Sequence, residues 1–279
     1  MSLSASLVSA LAVAEQRARY TSVPYAQEFR THLQFQRTGY TFLRDIIYSL
    51  FPSVHERLMY LQTRYQSTNE ALELFPTSPV LELASGFSPR GLEYTLADES
   101  RVYVETDLLE VIEAKQTVVK AIRRDRGDQG KIGSRNHHFH ALDVRNVNDF
   151  HQIGQDTPPV LSPWVIVTEG LLMYLSLEEK ERVRNNICSF LRTYSPKGAW
   201  ITPDLSARGE ELAMVKMIKQ ILRNGGSSHY FQNETEVEEF LRQGELQGER
   251  VSQRNGSITQ YLNGGIQQQH NEAHIVMLT

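Results

Sequence analysis

From Ser78 onward the chain alternates short apolar runs, rich in β-branched and aromatic residues, with longer amphipathic segments. The apolar runs predict strands at residues 80–84, 102–105, 138–144, 164–168, 199–202 and 274–278. The clearest helical segment covers residues 177–194, where Ser176 and Glu179 are spaced for a capping box. Strands that alternate with helices predict an α/β fold, with a mainly parallel sheet covered by helices on both faces.

The first 75 residues show no such strand pattern. Amphipathic periodicity predicts helices at residues 6–20, 24–36, 40–50 and 54–74. The start of the chain faintly resembles a signal peptide, because Ala12-Val13-Ala14 follows an apolar stretch. No basic residue precedes that stretch and serines interrupt it, so we expect a helix of a cytoplasmic protein.

Composition argues against several classes of function. The formal net charge is −4, whereas binding to nucleic acid or to anionic membranes normally needs a basic face, so neither partner is expected. No apolar run approaches the roughly 20 residues of a membrane span. Cys188 is the single cysteine, which excludes an intrachain disulfide and a zinc cluster built on cysteines.

Four successive predicted strands end in glycine or in acidic residues. The first is followed by Gly86, the second by Glu105 and Asp107, the third by Asp143 and the fourth by Glu169. Because parallel strands bring their carboxyl ends to one edge, these positions face the crevice where α/β proteins bind ligands. A glycine there allows close backbone approach, and an acid about 20 residues later suits ribose hydroxyls. Each position alone also fits a plain turn, a solvated carboxylate or a helix cap.

The first turn, LASGFSPRG, has neither the G-x-G-x-x-G spacing of dinucleotide sites nor the lysine of a P-loop. A pyrophosphate cradle is therefore not indicated. A rim of carboxylates better suits a ligand that has hydroxyls, an amine and a positive centre. S-adenosylmethionine (SAM) combines a ribose diol, an α-ammonium group and a sulfonium.

Four ordered segments, ELASGFSPRGL, YVETDLLEVIEAK, ALDV and VTEGLLMYLSLEE, resemble the leucine carboxyl methyltransferase family. That family belongs to the class I SAM-dependent methyltransferases and includes bacterial natural-product O-methyltransferases. The resemblance implies a Rossmann-like, mainly parallel seven-stranded sheet with helices on both faces and a C-terminal antiparallel hairpin. It also implies that residues 1–75 form an N-terminal helical cap and substrate-site region. Residues 76–279 would form the methyltransferase core, in one structural unit with the cap.

The resemblance assigns Arg64 to the cofactor. It lies in LQTRYQS and matches the SAM-binding arginine of a family pattern like R-T-R-x-x-D. A guanidinium fork suits the methionine carboxylate. The acid of that pattern is absent here, and Ser67 and Asn69 stand nearby.

The strand-end residues also take roles from the resemblance. Gly86 would lie beside the methionine moiety. Asp107 would bind the ribose hydroxyls, with Glu105 as a supporting or alternative acid. The predicted adenine contacts are Asp143 and the backbone of Val144, and Glu169 would lie near the SAM amino group and the transferable methyl.

No side chain stands out as a general base, which an alcohol or phenol acceptor needs and a carboxylate does not. Tyr174 in EGLLMYL is the best-placed hydroxyl, suited to substrate orientation or to packing. Alternation puts His138 and His140 on one face, but no third ligand is identifiable and no metal is expected. His229 and Tyr230 follow two glycines in a loop that could reach the substrate.

The specificity region is expected between Asp204 and Tyr230. Its helix, near residues 212–222, is apolar around more than one face and contains two methionines. Such a surface suits a substrate wall, a homodimer contact or burial against the cap.

The leading hypothesis is a SAM-dependent O-methyltransferase that methylates a carboxylate of a small molecule or peptide. Methylation of a natural-product hydroxyl and a catalytically silent SAM-binding regulator are the alternatives. An NAD(P)-dependent oxidoreductase is disfavoured, because the glycine spacing and a Tyr-x-x-x-Lys pair are missing.

Overall fold

The computed structural model describes residues 4–33, 54–127, 136–157, 162–205, 229–250 and 274–278. The helices are α1 (Ala5–Tyr20), α2 (Ala26–His32), α3 (Val54–Glu73), α4 (Arg90–Ala97), α5 (Leu109–Asp125), α6 (Val147–Asp156), α7 (Leu177–Tyr194) and α8 (Glu234–Arg242). A 3-10 helix covers Leu172–Tyr174. The strands are β1 (Val80–Leu83), β2 (Tyr103–Asp107), β3 (His137–Ala141), β4 (Val165–Thr168), β5 (Ala199–Thr202), β6 (Leu246–Arg250) and β7 (His274–Leu278). The predicted alternation of strands and helices is confirmed.

The strands form one sheet in the order β3-β2-β1-β4-β5-β7-β6. β1 pairs in parallel with β2 and β4, and β3 and β5 extend the parallel part on either side. β7 runs antiparallel between β5 and β6. The mainly parallel sheet with a C-terminal antiparallel pair is therefore confirmed. Because the strand order reverses between β1 and β4, these neighbours open a crevice at their carboxyl ends.

Side chains alternate across β1, as the pleat of a strand requires. Leu81 and Leu83 point into the core that contains the apolar face of α7. Val80 points to the opposite face, where it meets Leu72 of α3. Glu82 shares that second face and is 1% exposed. A carboxylate buried so deeply requires a charged or hydrogen-bonding partner on the same side of the sheet.

The N-terminal helices α1 and α2 pack on the helical layer that covers the sheet. Leu7 and Ala14 of α1 and Phe29 of α2 share an apolar cluster with Val111 and Val118 of α5. The helices α1 and α2 are thereby held against α5, the helix that follows β2. None of the helices in the described ranges combines the length and apolarity needed to cross a bilayer.

Several element ends differ from the predictions. β3 ends at Ala141 instead of residue 144, because a turn follows in which the Asn146 N–H donates to the Asp143 carbonyl at 2.8 Å. β6 was not among the strands expected from apolar pattern, since its sequence LQGER is largely polar. The capping box is confirmed: Ser176 accepts from the Glu179 N–H and Glu179 accepts from the Ser176 N–H. The helices expected at residues 40–50 and 212–222 lie outside the described residues.

Candidate functional site

A cavity of about 630 Å³ opens at the carboxyl ends of β1, β2 and β4. It coincides with the crevice created by the reversal of strand order. Seven of the residues predicted for the site line it, namely Arg64, Gly86, Asp107, Asp143, Val144, Glu169 and Tyr174. Glu105 is not among the lining residues. Positions spread over more than 100 residues of sequence are thus brought to one pocket.

The turn after β1 approaches the cavity with an unusual backbone. Gly86 has φ +48° and Ala84 has φ +50°, in the left-handed region that glycine tolerates best. The Gly86 N–H donates to the Asp107 Oδ2 at 2.7 Å, and the Leu108 N–H donates to Oδ1 at 2.8 Å. Burial raises the pKa of Asp107, and these two backbone hydrogen bonds oppose the rise. These hydrogen bonds therefore fix the turn and the Asp107 carboxylate relative to each other at the cavity surface.

Glu169 occupies the centre of a charged network. Its Oε1 lies 3.1 Å from Nη2 of Arg17 in α1, and its Oε2 accepts from Arg90 at the start of α4. Burial alone would raise the pKa of Glu169, but the nearby cations, Arg90 foremost, hold it below its ordinary value. The carboxylate is therefore ionised at neutral pH although its side chain is 7% exposed.

Neither Arg17 nor Arg90 was predicted as a site residue. Arg90 also donates to Glu82 at 2.5 Å, which answers the need of that buried carboxylate for a partner. Glu82 inside an apolar strand was the available signal, because such a residue predicts a cation close by. The signal does not say which of many arginines supplies the charge.

One face of α1 forms a wall of the cavity. Ser6, Ser9, Ala10, Val13 and Arg17 line it, at the spacing of one helix face. An added Cβ at Gly86 would lie 3.8 Å from the Ala10 Cβ, so the helix passes close over the turn. Periodicity identified this helix but not the side that meets the site.

Arg64 lines the cavity but is bound to another protein group. Its guanidinium is paired with the buried carboxylate of Asp204, two residues beyond β5. The same carboxylate accepts the backbone N–H groups of Gly170 at 3.0 Å, Leu171 at 2.8 Å and Leu172 at 2.9 Å. Asp204, paired with Arg64, thus fixes the backbone at residues 170–172. These residues belong to the segment from Glu169 to Leu175, most of which lines the cavity.

Asp143 and Val144 lie at the side of the cavity formed after β3. The Asp143 carboxylate accepts from Nε and Nη2 of Arg145, at 2.9 and 2.8 Å. These side-chain hydrogen bonds lower the pKa of Asp143. The Val144 carbonyl accepts from Asn186 Nδ2 of α7 at 2.9 Å, which leaves the backbone of this turn well fixed.

Tyr174 ends the 3-10 helix and lines the cavity beside Met173. The Tyr230 hydroxyl donates to the Met173 carbonyl at 3.1 Å, and the His229 N–H donates to the Leu175 carbonyl at 3.1 Å. His229 and Tyr230 therefore bind the backbone on either side of Tyr174 and are not among the residues that line the cavity.

Glu105 is not brought to the cavity. Its Oε2 lies 2.7 Å from Nζ of Lys115, and its Oε1 lies 3.4 Å from Nε2 of His137. All three side chains are buried between β2, β3 and α5. Gly91 leaves the room for this cluster, since an added Cβ would lie 2.0 Å from Glu105 Oε1. Asp107 reaches the cavity and Glu105 does not, because Asp107 ends β2 whereas Glu105 lies two residues earlier, where helices cover the strand.

His138 and His140 lie on one face of β3 with ring centroids 6.5 Å apart, as alternation indicated. Within the described ranges, no group of three or more metal-binding side chains is present.

No family model matches this chain, and no curated protein matches it. Among solved structures, a protein of Thermobifida fusca YX described as a methyltransferase superposes with a TM-score of 0.52 at 14% identity, covering 85% of this chain and 86% of that one. An O-methyltransferase family protein from Burkholderia thailandensis gives 0.50 at 10% identity, covering 94% and 76%.

A third similar structure is the magnesium protoporphyrin IX methyltransferase of Synechocystis PCC 6803 with bound S-adenosylhomocysteine (SAH). Its TM-score is 0.45 at 12% identity, over 87% of this chain and 94% of that one. At these identities the first two likenesses establish the fold alone, which this chain shares with those two proteins. The narrower likeness to leucine carboxyl methyltransferases is not among these findings.

Proposed function

We propose that this protein is a SAM-dependent methyltransferase that uses the cavity at the ends of β1, β2 and β4. The observation that carries the proposal is the juxtaposition, in a methyltransferase fold, of the Gly86 turn with the carboxylates of Asp107 and Glu169. A glycine turn with positive φ gives a ligand access to the backbone. Two carboxylates in the same pocket suit a diol and a cation.

The lining residues fit the chemistry of SAM. Asp107 is oriented by the Gly86 and Leu108 N–H groups and keeps lone pairs on both oxygens for ribose hydroxyls. Glu169, ionised by its arginine neighbours, suits the ammonium end. Asp143 and the Val144 backbone would meet adenine at the other end of the cavity. Arg64 would reach the methionine carboxylate only in competition with Asp204.

The reaction requires little acid–base chemistry from the protein. SAM supplies an activated methyl group: the acceptor oxygen forms the new O–C bond while the C–S bond breaks and sulfur keeps its electron pair. The cavity walls then act mainly by alignment, which is worth about 7–11 kcal/mol in well-oriented systems. The α1 face and the Glu169–Leu175 segment would exclude water, which otherwise stabilises charged reactants more than the transition state.

For the acceptor we propose a carboxylate of a small molecule or peptide. The resemblance to leucine carboxyl methyltransferases supports it, and such an acceptor is already ionised at neutral pH. Tyr174, beside Met173 on the cavity wall, would orient the acceptor. A hydroxyl acceptor of natural-product type is the second candidate, and there a general base would be needed.

Ligand binding tests the cofactor. SAM or SAH should raise the melting temperature, because a ligand at 100 times its Kd stabilises the folded state by about 2.7 kcal/mol. NAD and NADP serve as matched controls and should leave the melting temperature unchanged. If millimolar SAH produces no shift, the cofactor assignment is wrong.

Methyl transfer tests the activity. Cell extract incubated with the protein and methyl-labelled SAM should yield a labelled product, and mild alkali should release labelled methanol if that product is an ester. An alkali-stable product would show that the acceptor is a hydroxyl or an amine and not a carboxylate. SAH binding without turnover on any acceptor would instead favour a SAM-binding regulator.

We expect Asp107→Asn to weaken SAH binding by about 1–3 kcal/mol, or roughly 5- to 150-fold in Kd. The amide keeps one acceptor oxygen, so it loses either the Gly86 or the Leu108 backbone contact and also offers the ribose one acceptor fewer. Isothermal titration calorimetry measures the change. Asp98→Asn is the control, because the Asp98 carboxylate accepts from Ser100 in an exposed loop away from the cavity. Equal affinities for the two variants would place the ribose elsewhere.

A further inference from the structure

Arg90 lies outside the cavity lining, yet it binds two carboxylates that line it. Nη1 donates to Glu82 at 2.5 Å, Nη2 donates to Glu169, and Nε donates to Asn69 at 2.7 Å. The side chain is completely buried. Its contacts join the first turn of α4 to β1, to α3 and to the end of β4.

This arrangement requires a guanidinium. Three side chains lie around one planar group, each opposite a different nitrogen. The guanidinium carbon also lies 4.4 Å from the centroid of the Tyr65 ring, in a cation–π contact. A lysine ammonium offers a point charge without this fixed fork, so it would not hold both carboxylates in the same orientation.

The charges around Glu169 come from several elements. Arg17 of α1, Arg64 of α3 and Arg90 of α4 stabilise the ionised form, while Glu82 of β1 opposes it. Asp204 lies close by, since it accepts the Gly170 N–H. Arg17 lines the cavity, where a ligand can contact it. Arg90 is buried outside the cavity lining and is fixed there by hydrogen bonds to Glu82 and Asn69. Arg90 is therefore the cation whose hold on Glu169 does not depend on what occupies the cavity.

We infer that Arg90 is a positioning residue that keeps Glu169 ionised and aimed into the cavity at the cationic end of the cofactor. The inference rests on the proposed function, because it assigns the cation to SAM. Arg90 does not touch the cofactor and acts through Glu169. With Arg90 present, affinity for the cofactor should not respond to protonation of Glu169 near neutral pH. Without it, the pKa of Glu169 rises and the affinity falls as the pH is lowered.

The test uses SAH, which keeps the ammonium group and is not consumed. Arg90→Met alone would leave Glu82 buried without its cation, so the informative variant is Glu82→Gln/Arg90→Met. The matched control is Glu82→Gln, which keeps Arg90 beside Glu169. Calorimetry gives the Kd of each protein between about pH 5.5 and pH 8. Asp107 is present in all of them, so its contribution is common to every protein and the comparison isolates Glu169.

At the alkaline end we expect the double variant to bind SAH only several-fold more weakly than the control, because Glu169 is ionised in both but is oriented by Arg90 only in the control. Towards the acidic end the double variant should lose up to about tenfold in affinity per pH unit more than the control. Adding Glu169→Gln should abolish that extra pH dependence. Identical pH profiles for control and double variant would overturn the inference.

Two further outcomes are distinguishable. If the wild-type protein binds no SAH at any pH, the proposed function itself is wrong. If the double variant does not fold, Arg90→Lys takes its place, because it keeps the charge and loses the fork. That variant should bind SAH several-fold more weakly, because Glu169 stays ionised but is no longer oriented by the fork, and adding Glu169→Gln should remove the difference that Arg90→Lys makes. Unchanged affinity and an unchanged pH profile in Arg90→Lys would overturn the inference.

Discussion

Lys115→Met is expected to lower the free energy of unfolding by about 3–5 kcal/mol, because it leaves Glu105 buried without its cation. Both side chains are fully buried, and their charged atoms are 2.7 Å apart. Equilibrium denaturation with urea at neutral pH measures the loss. Lys120→Met is the matched control on the same helix, since Lys120 is exposed and should change stability little.

The double variant Lys115→Met/Glu105→Gln should recover much of that loss, since no uncompensated charge remains buried. Acid should also reduce the difference between the wild type and Lys115→Met. Burial tends to raise the pKa of Glu105, but Lys115 and His137 together hold it below its ordinary value. Its stabilising contribution is therefore present above the pKa of an unfolded glutamate and disappears as the pH falls through the folded pKa. A Lys115→Met variant as stable as Lys120→Met would contradict the pairing.

Asp204→Ala is the second large effect that we expect, again about 3–5 kcal/mol of the free energy of unfolding. The substitution removes the carboxylate that pairs with Arg64 and accepts three consecutive backbone N–H groups after β4. Buried backbone donors that lose their acceptor bear the full cost of desolvation. Asp204→Asn, which keeps one oxygen, should fall between alanine and the wild type.

The same substitution should weaken SAH binding, because the segment that Asp204 holds carries Glu169 and lines the cavity. Calorimetry on the folded fraction measures this second effect. Asp98→Ala is the control, since it removes an exposed carboxylate that accepts local hydrogen bonds from Ser100. An Asp204→Ala variant that matches Asp98→Ala in both stability and SAH affinity would show that the turn is held by other contacts.

Much of the fold was predictable because its signals are local. The alternation of apolar runs with amphipathic segments depends on neighbours within a few residues, and so does the capping box at Ser176. β6 was not predicted, because LQGER has little apolar pattern and its strand structure depends on pairing with β7. Edge positions of this kind are decided by the partner strand.

The strand-end residues Gly86, Asp107, Asp143 and Glu169 were found at the cavity for a related reason. Parallel strands deliver their carboxyl ends to one edge, so a strand assignment is also an assignment of place. The exception, Glu105, shares a face of β2 with Asp107 but ends beneath α5 instead of in the crevice. Alternation predicts on which face of a strand a side chain lies. Whether a helix covers that side chain depends on how the helices pack.

The sequence by itself therefore determined the alternation of strands and helices along the chain apart from β6, and the glycine and acidic residues at the strand ends. Only the tertiary structure decided the charge partners: Arg17 and Arg90 for Glu169, Asp204 for Arg64, and Lys115 for Glu105. The physical reason is that the energy of a buried ion pair depends on separation in space and on the exclusion of water. Neither quantity leaves a periodic trace along the chain, because Arg17 and Glu169 lie 152 residues apart in sequence and 3.1 Å apart in the fold.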